Sequence, residues 1–201
     1  MEEKKENRRV QLTKRMLKES FIQLLEEKDI SEITIKELCE KADINRSTFY
    51  AHYNDQYNLM YKIQNELIDN VEAHLALFIH EERGSVTPGM LEEIFEYIRD
   101  NAKLCRLLLS ERGDLNFQKR VLNLVYGKTI NHLTSTMNLT REDAEYVYAY
   151  TITGCIGVIQ KWLNDDMKKS SKFMAEIVMN LTPGMPQRQL TISEGEENNR
   201  G

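Results

Sequence analysis

Hydrophobic residues recur along most of this chain at the three- and four-residue spacing of amphipathic helices. Long stretches contain neither Gly nor Pro, and only nine Gly and three Pro occur in 201 residues. This pattern predicts an all-α protein of about nine helices. The predicted helices cover residues 9–28, 35–42, 46–53, 55–80, 87–98, 104–109, 115–137, 141–165 and 170–181.

The stretch 34–53 predicts two short helices joined by a tight turn. Thr34 and Glu37 fit a capping box at the start of the first helix, and Asn45 fits the N-cap of the second. Phe49 is expected to point inward, beneath small hydrogen-bonding and aromatic side chains. Such a pair predicts a helix-turn-helix, whose second helix enters the DNA major groove. The alternative is an ordinary corner between two packed helices.

The run NRSTFYAHY at 45–53, with Asn54, Asp55 and Leu59 after it, resembles the DNA-binding signature of the TetR family of bacterial transcription regulators. The resemblance covers roughly residues 13–59, and the remainder is similar only in length and helical rhythm. It implies a three-helix helix-turn-helix DNA-binding domain over 1–54 and a C-terminal helical ligand-binding and dimerisation domain over 55–182. The polar stretch 183–201 is predicted to be a disordered tail.

The resemblance also implies roles for individual residues. It assigns DNA contact to Thr13, Lys14, Thr34, Asn45, Arg46, Ser47, Thr48, Tyr50, His52 and Tyr53. Chemistry supports base reading by Arg46 and phosphate contact by Tyr50, whereas Tyr53 suits a core aromatic equally well. Family members usually carry Lys at the position of Gln56, so one expected phosphate contact from the fourth helix is missing.

Charge is distributed unevenly along the chain. Residues 1–53 carry 11 basic and 11 acidic side chains, so the whole net charge of −5 falls on the remainder. Within the first part, residues 4–18 carry seven basic side chains and one Glu. Because DNA affinity depends on the local surface that faces the phosphates, this excess supports DNA binding despite the overall charge.

The predicted helix 141–165 is apolar on two faces, which indicates burial on two sides. We expect one face to pack against the chain's own domain and the other face to contact a second copy of the chain. The alternative is a central helix that is buried on both faces inside one subunit. The resemblance implies that the last two long helices form a dimer interface. The candidate interface residues are Thr151, Gly154, Cys155, Val158, Trp162, Phe173 and Ile177.

The resemblance further implies a pocket whose occupancy changes the DNA-binding shape. Its candidate lining consists of aromatic residues and one His, each of which suits an ordinary core equally well: Phe95, Tyr97, Tyr126, His132, Tyr146 and Trp162. The sequence identifies neither a small-molecule effector nor a cofactor. Some relatives are activators or sense protein partners instead.

Several function classes find no support in the sequence. No apolar run reaches the ~20 residues that span a bilayer, and the start lacks the apolar core of a secretion signal. Cys39, Cys105 and Cys155 are far apart and odd in number, which favours core thiols in a reducing cytoplasm. The four His show no metal spacing, and no catalytic motif occurs. We therefore expect neither an enzyme nor a metal site nor a membrane partner.

The combined pattern predicts a cytoplasmic, sequence-specific DNA-binding regulator. Repression is the default expectation because a bound protein blocks polymerase, and a homodimer implies a near-palindromic double-stranded operator. The alternative is a helical adaptor, or a TetR-like activator, without small-molecule sensing.

Overall fold

The computed structural model describes residues 2–77, 87–110 and 113–182. Within these residues it contains ten α-helices, one short 3-10 helix at Ile30–Glu32 and no strand. The α-helices are α1 (Glu2–Glu27), α2 (Ile35–Lys41), α3 (Arg46–Tyr50), α4 (Gln56–Leu77), α5 (Pro88–Asp100), α6 (Ala102–Leu109), α7 (Leu115–Leu124), α8 (Tyr126–Thr136), α9 (Arg141–Asn164) and α10 (Ser171–Leu181). The all-α prediction is confirmed.

Two predicted boundaries were wrong. α1 begins at Glu2 rather than near residue 9, so the arm predicted for 1–7 is helical over its described part. The single helix predicted over 115–137 is two helices, α7 and α8, which are separated at Val125 (φ −107°, ψ −2°). Gly127, a weak helix former, follows this break. The end predicted for the fourth helix, near residue 80, and the tail 183–201 both lie outside the described residues.

Backbone contacts divide the chain into two compact units whose sequences interleave. Unit 1 consists of Met1–Ala73 and Asn101–Val121, and unit 2 consists of His74–Asp100 and Leu122–Gly201. The predicted domain division between residues 54 and 55 stays a prediction.

The core of unit 1 lies beneath the helix-turn-helix. α1 contributes an apolar stripe to this core, in which Leu17 and Phe21 are fully buried and Leu24 is nearly so. Phe49 of α3 and Leu59 of α4 are also fully buried. Each short helix therefore gains its stability from shared burial rather than from its own length.

The second stretch of unit 1, Asn101–Val121, is held to the first stretch by apolar and polar contacts. Leu104, Leu108 and Phe117 are buried. Gln64 Nε2 of α4 donates a hydrogen bond to Asp114 Oδ2 at 2.9 Å, and Lys103 Nζ of α6 pairs with Glu26 Oε2 of α1 at 3.4 Å. Arg120 of α7 donates to Asn65 of α4, and its guanidinium lies over the Tyr61 ring, 5.4 Å from the centroid.

Unit 2 contains two helix pairs, α5 with α10 and α8 with α9. The rings of Phe95 on α5 and Trp162 on α9 meet edge to face, with centroids 5.4 Å apart. Ile130 and Leu133 of α8 pack with Ala144 of α9 in a smaller cluster. α9 and α10 also meet, which places three of the predicted regulatory helices in one body.

The cysteines are free, and two of them are core residues. Cys39 and Cys105 are buried, and burial raises the pKa of the Cys105 thiol to about 12. Cys155 is half-buried, and burial also raises the pKa of its thiol. The core-thiol prediction is thus confirmed for Cys39 and Cys105.

Candidate nucleic-acid interface

α2 begins with a side-chain cap at the surface. Thr34 Oγ1 accepts a hydrogen bond from the backbone N–H of Glu37 at 3.2 Å. The predicted return bond from Glu37 does not form, because Lys28 Nζ pairs with both Glu37 oxygens at 2.5 and 2.6 Å. This hydrogen bond, against the opposing effect of burial, holds the pKa of Glu37 below its usual value. A reciprocal capping box occurs instead one element earlier, between Asp29 and Glu32.

The turn between α2 and α3 is a Schellman motif. Asp43 adopts a left-handed conformation, with φ at 51°. The backbone N–H of Ile44 donates to Cys39 O at 3.0 Å, and the N–H of Asp43 donates to Glu40 O at 3.3 Å. These two bonds satisfy carbonyl groups at the end of α2 and set the direction in which the chain enters α3.

α3 is a short helix anchored by one side chain. Phe49 is fully buried, and its ring lies 5.4 Å from that of Tyr50 and 5.6 Å from that of Tyr53. Asn45 has extended backbone at the N-cap (φ −78°, ψ 149°), but its side chain makes no cap hydrogen bond. The predicted N-cap position is correct, and the Asn45 amide remains available to another partner.

The remaining predicted DNA-binding residues divide by exposure. Exposed side chains belong to Lys14, Thr34, Asn45, Arg46, Ser47 and Tyr50, whereas Thr13, Thr48 and His52 are half-buried. The Arg46 guanidinium makes no hydrogen bond or ion pair with any residue that the structure describes. One surface of unit 1 therefore presents a free cation together with hydroxyl and amide groups.

Tyr53 lies in the core of unit 1. Its side chain is only 6% exposed, and burial, with a smaller effect from the charge of Glu66, raises the pKa of its phenol. This placement supports the alternative interpretation of Tyr53 as a core aromatic. Sequence reasoning missed Lys62 of α4, which contacts His52 in the turn after α3, because the two residues lie ten positions apart in different elements.

The start of α4 follows the prediction. Asp55 Oδ1 accepts a hydrogen bond from the backbone N–H of Asn58 at 2.7 Å, and Asn58 Oδ1 accepts from the N–H of Asn54 at 3.3 Å. Gln56, which occupies the position where the resemblance suggests Lys, is half-buried.

Comparisons with known proteins agree with this geometry. Residues 87–184 match a TetR C-terminal family model that is described as the C-terminal region of transcriptional regulators. YxbF of Bacillus subtilis, an uncharacterized HTH-type transcriptional regulator, is 22% identical over 173 residues, which cover 82% of this chain and 43% of that protein. These matches support a transcriptional regulator of the TetR family. It spans less than half the length of the curated relatives it matches.

Solved structures of TetR-family regulators share this fold. A TetR transcriptional regulator from Streptococcus agalactiae superposes with a TM-score of 0.58 at 21% identity, covering 86% of this chain and 94% of that one. FadR from Bacillus subtilis, in complex with stearoyl-CoA, superposes with a TM-score of 0.61 at 14% identity, covering 85% and 98%. At these identities the likeness concerns the fold alone.

The six pocket candidates have different neighbours in the described part of unit 2. Phe95 packs against Trp162, and the Tyr97 ring lies 5.7 Å from that of His74. Tyr126 donates to Glu145 Oε1 at 3.1 Å and meets the Tyr148 ring edge to face. The other two are separate from these pairs.

His132 Nδ1 lies 3.4 Å from Thr136 Oγ1, within α8. Tyr146 is 73% exposed on α9, so it lines no enclosed space in the described part of unit 2. A pocket role for all six candidates remains a prediction.

An open groove lies between α9 and α10 within unit 2. Its volume is about 470 Å³, and none of the six pocket candidates lines it. Four of the predicted dimer residues do: Thr151, Gly154, Cys155 and Val158. Of the other three, Phe173 and Ile177 are half-buried on α10. Trp162 is 3% exposed, and its Nε1 donates to Lys169 O at 2.9 Å, so it belongs to the core of unit 2.

Sequence reasoning placed Gly154 at the dimer contact but missed the exposed tyrosines that share a row of α9 with it. The residues of this row, which we call the α9 row, follow helical spacing and lie between the two apolar faces: Tyr146, Ala149, Tyr150, Thr153, Gly154 and Gly157. Tyr150 is 77% exposed, and the space around the Cα atoms of Gly154 and Gly157 is open. The sequence did contain a signal for this row. Tyr146 and Tyr150 lie four residues apart on one helix, and Gly154 and Gly157 follow them one and two turns later.

Two further properties concern the described residues. None of their helices combines the length and apolar character that a membrane crossing needs. Their His, Cys, Asp and Glu side chains form no group of three or more that suits a metal ion.

Proposed function

We propose that this TetR-family regulator is a repressor that binds a near-palindromic operator as a homodimer and leaves it when an effector binds. The main support is α3, where exposed Arg46, Ser47 and Tyr50 stand over the buried anchor Phe49. A rigid helix that presents unpaired polar groups matches the recognition helix of a helix-turn-helix.

Each exposed group suits a particular DNA atom. A guanidinium without protein partners can bind guanine O6 and N7 together, which is worth about 1–3 kcal/mol of discrimination between bases. The Tyr50 hydroxyl and the Lys14 ammonium suit phosphate oxygens. Thr34 stands at a helix N-terminus, where backbone N–H groups favour an anion.

The homodimer proposal rests on α9 and α10. The α9 row and the neighbouring groove form one continuous surface of exposed tyrosine, small and apolar residues, which is typical of a protein interface. In a two-fold dimer the same row contacts itself, so Gly154 and Gly157 permit close approach of two α9 helices. Of the two faces considered from the sequence, the groove side is the one we propose for the contact.

The effector proposal is the least specific part. An effector must bind the DNA-incompetent shape more tightly, typically by about 1–3 kcal/mol of coupling. A thermal-shift screen of metabolites is the suitable search, and long-chain acyl-CoA thioesters belong in it because a structure of similar fold holds stearoyl-CoA. We place the protein in the cytoplasm, where bacterial operators are.

Two alternatives differ in what they predict. An activator binds the same kind of operator but raises transcription of the adjacent gene. A helical adaptor binds no DNA duplex specifically, and the exposed residues of α3 contact a partner protein instead. No feature of unit 1 favours the adaptor over the regulator.

The decisive experiment selects duplexes from a random library with the full-length protein. We expect enrichment of an inverted repeat that fluorescence anisotropy shows to bind tightly, with affinity falling steeply between about 50 and about 200 mM salt because phosphate contacts release counterions. A scrambled duplex is the control for non-specific binding. Failure to enrich any sequence would favour the adaptor.

A further inference from the structure

The recognition helix is held at its C-terminal end by a side chain from another helix. Lys62 Nζ of α4 donates a hydrogen bond to the backbone carbonyl of His52 at 2.8 Å. The same ammonium lies 5.1 Å from the centroid of the buried Tyr53 ring. Lys62 thus connects α4 to the turn that follows α3 by a charge-assisted hydrogen bond and a cation–π contact.

The position of this contact matters because α3 is too short to be stable alone. It spans five residues, Arg46–Tyr50, and a single turn extends it to Tyr53, whose N–H donates to Phe49 O at 2.9 Å. Carbonyl groups at a helix end lack partners within the helix and carry partial negative charge. The His52 carbonyl lies in the turn just past this end, and the Lys62 ammonium supplies its partner, so α4 adds a polar contact beside the apolar anchor Phe49.

We propose that Lys62 is a positioning residue for DNA recognition, and that it sets operator affinity by orienting α3 without contacting DNA. Phe49 anchors α3 to the core near its C-terminal end, and Lys62 holds the turn directly after that end. The tilt of the exposed side chains of Arg46 and Tyr50 depends on both anchors. This inference rests on the proposed DNA-binding function.

The test compares Lys62→Met, which keeps the aliphatic stem, with Lys62→Arg, which keeps a donor and a cation. Lys119→Met is the matched control, because Lys119 is also exposed in unit 1 and lies on α7, away from the helix-turn-helix. All variants are full length. A wild-type melting temperature in each shows that the fold is intact.

The first readout is amide hydrogen exchange over residues 47–53 in the absence of DNA. We expect about tenfold faster exchange in Lys62→Met, equivalent to about 1.4 kcal/mol, and near-normal exchange in Lys62→Arg and Lys119→Met. Unchanged exchange in Lys62→Met would overturn the proposal. This readout stands even if the wild-type protein selects no duplex, in which case the proposed function fails on its own.

The second readout is affinity for the duplex that the wild-type protein selects, measured across salt concentrations. We expect Lys62→Met to bind about tenfold more weakly with an unchanged salt slope, and Lys62→Arg to restore binding. A slope that falls by about one, with unchanged amide exchange, would mean that Lys62 contacts a phosphate directly and would overturn the positioning role.

Discussion

Gln64 Nε2 donates a hydrogen bond to Asp114 Oδ2 at 2.9 Å and so joins residues that are 50 positions apart. The Gln64 side chain is only 4% exposed, so its amide depends on this partner. Asp114 also accepts hydrogen bonds from the backbone N–H groups of Asn116 and Phe117, at 2.8 and 3.2 Å, and thereby caps α7. One carboxylate thus fixes both the start of α7 and its attachment to α4.

Removing this carboxylate should destabilise the protein measurably. Asp114→Ala leaves a buried amide without its partner and α7 without its cap, which we expect to cost about 1–3 kcal/mol. Urea unfolding monitored by circular dichroism measures the change. Asp69→Ala, which removes an exposed carboxylate from α4, is the control and should change stability by less than about 0.5 kcal/mol.

The same carboxylate should contribute to acid sensitivity. Burial alone would raise the pKa of Asp114, but the hydrogen bonds from Gln64, Phe117 and Asn116 and the charge of Arg120 together hold that pKa below its ordinary value. A lowered folded-state pKa means that the stabilisation is fully present above the unfolded-state pKa, about 3.9. It is lost as the pH falls through the lower, folded-state value.

Urea midpoints at pH 6 and pH 3 provide the check. The wild-type protein should lose more free energy of unfolding between these pH values than Asp114→Asn does. Because the Asp114 side chain is exposed, we expect the difference to stay below about 1 kcal/mol. Equal losses in the two proteins would show that Asp114 contributes nothing to the acid transition.

Two substitutions on α3 test the proposed DNA surface. Thr48→Ala and Tyr50→Ala should each weaken binding to the selected duplex by about 1–3 kcal/mol, because each removes a hydroxyl proposed to contact DNA. Gel-shift titration measures the loss. Thr129→Ala, at a half-buried position on α8 in unit 2, should bind as the wild-type protein does. Normal affinity in both α3 variants would remove this assignment.

The turn of the helix-turn-helix offers a stabilising change. Asp43 holds a left-handed conformation at φ 51° that glycine adopts without strain. Asp43→Gly should therefore raise stability by about 0.5 kcal/mol, whereas the β-branched Asp43→Val should lower it by about 1 kcal/mol or more. Asp166 occupies the same motif after α9, with φ at 54°. Asp166→Gly provides an independent comparison in thermal denaturation.

The proposed dimer surface is tested by a charge at its centre. Gly154→Glu should prevent close approach of two α9 helices, because a two-fold axis brings two buried carboxylates together. Sedimentation velocity should then show a monomer where the wild-type protein is a dimer. Gly127→Glu introduces the same side chain at an open position on α8 and should leave the assembly unchanged.

Local sequence patterns predicted the DNA-facing elements well because these elements depend on short-range chemistry. The cap at Thr34, the anchor Phe49 and the cap at Asp55 can each be inferred from residues within four positions. The Glu37 return bond failed because Lys28, which directly follows α1, competes for the same carboxylate. Such competition depends on tertiary placement and has no signature in the local pattern.

The regulatory part was less predictable for a related reason. Aromatic residues suit a pocket and a core equally well, and Trp162 and Phe95 proved to pack against each other. The exposed α9 row lies between two apolar faces whose residues are mostly half-buried, and the apolar periodicity does not reveal how exposed the row between them is. Gln64 and Lys62 acquire their roles from partners in other elements, and those partners can be found only in the folded chain.

Unit 1 is assembled from two separate stretches of sequence, so the chain passes between the units three times, after residues 73, 100 and 121. A fragment that stops at residue 54 lacks Leu59, Leu104 and Phe117, all of which are buried in that unit. Recombination at a single crossover therefore cannot exchange the whole of unit 2 between relatives without also dividing unit 1. A functional chimera must take residues 74–100 and all residues after 121 from one relative. Residues 1–73 and 101–121 must then come together from the other relative.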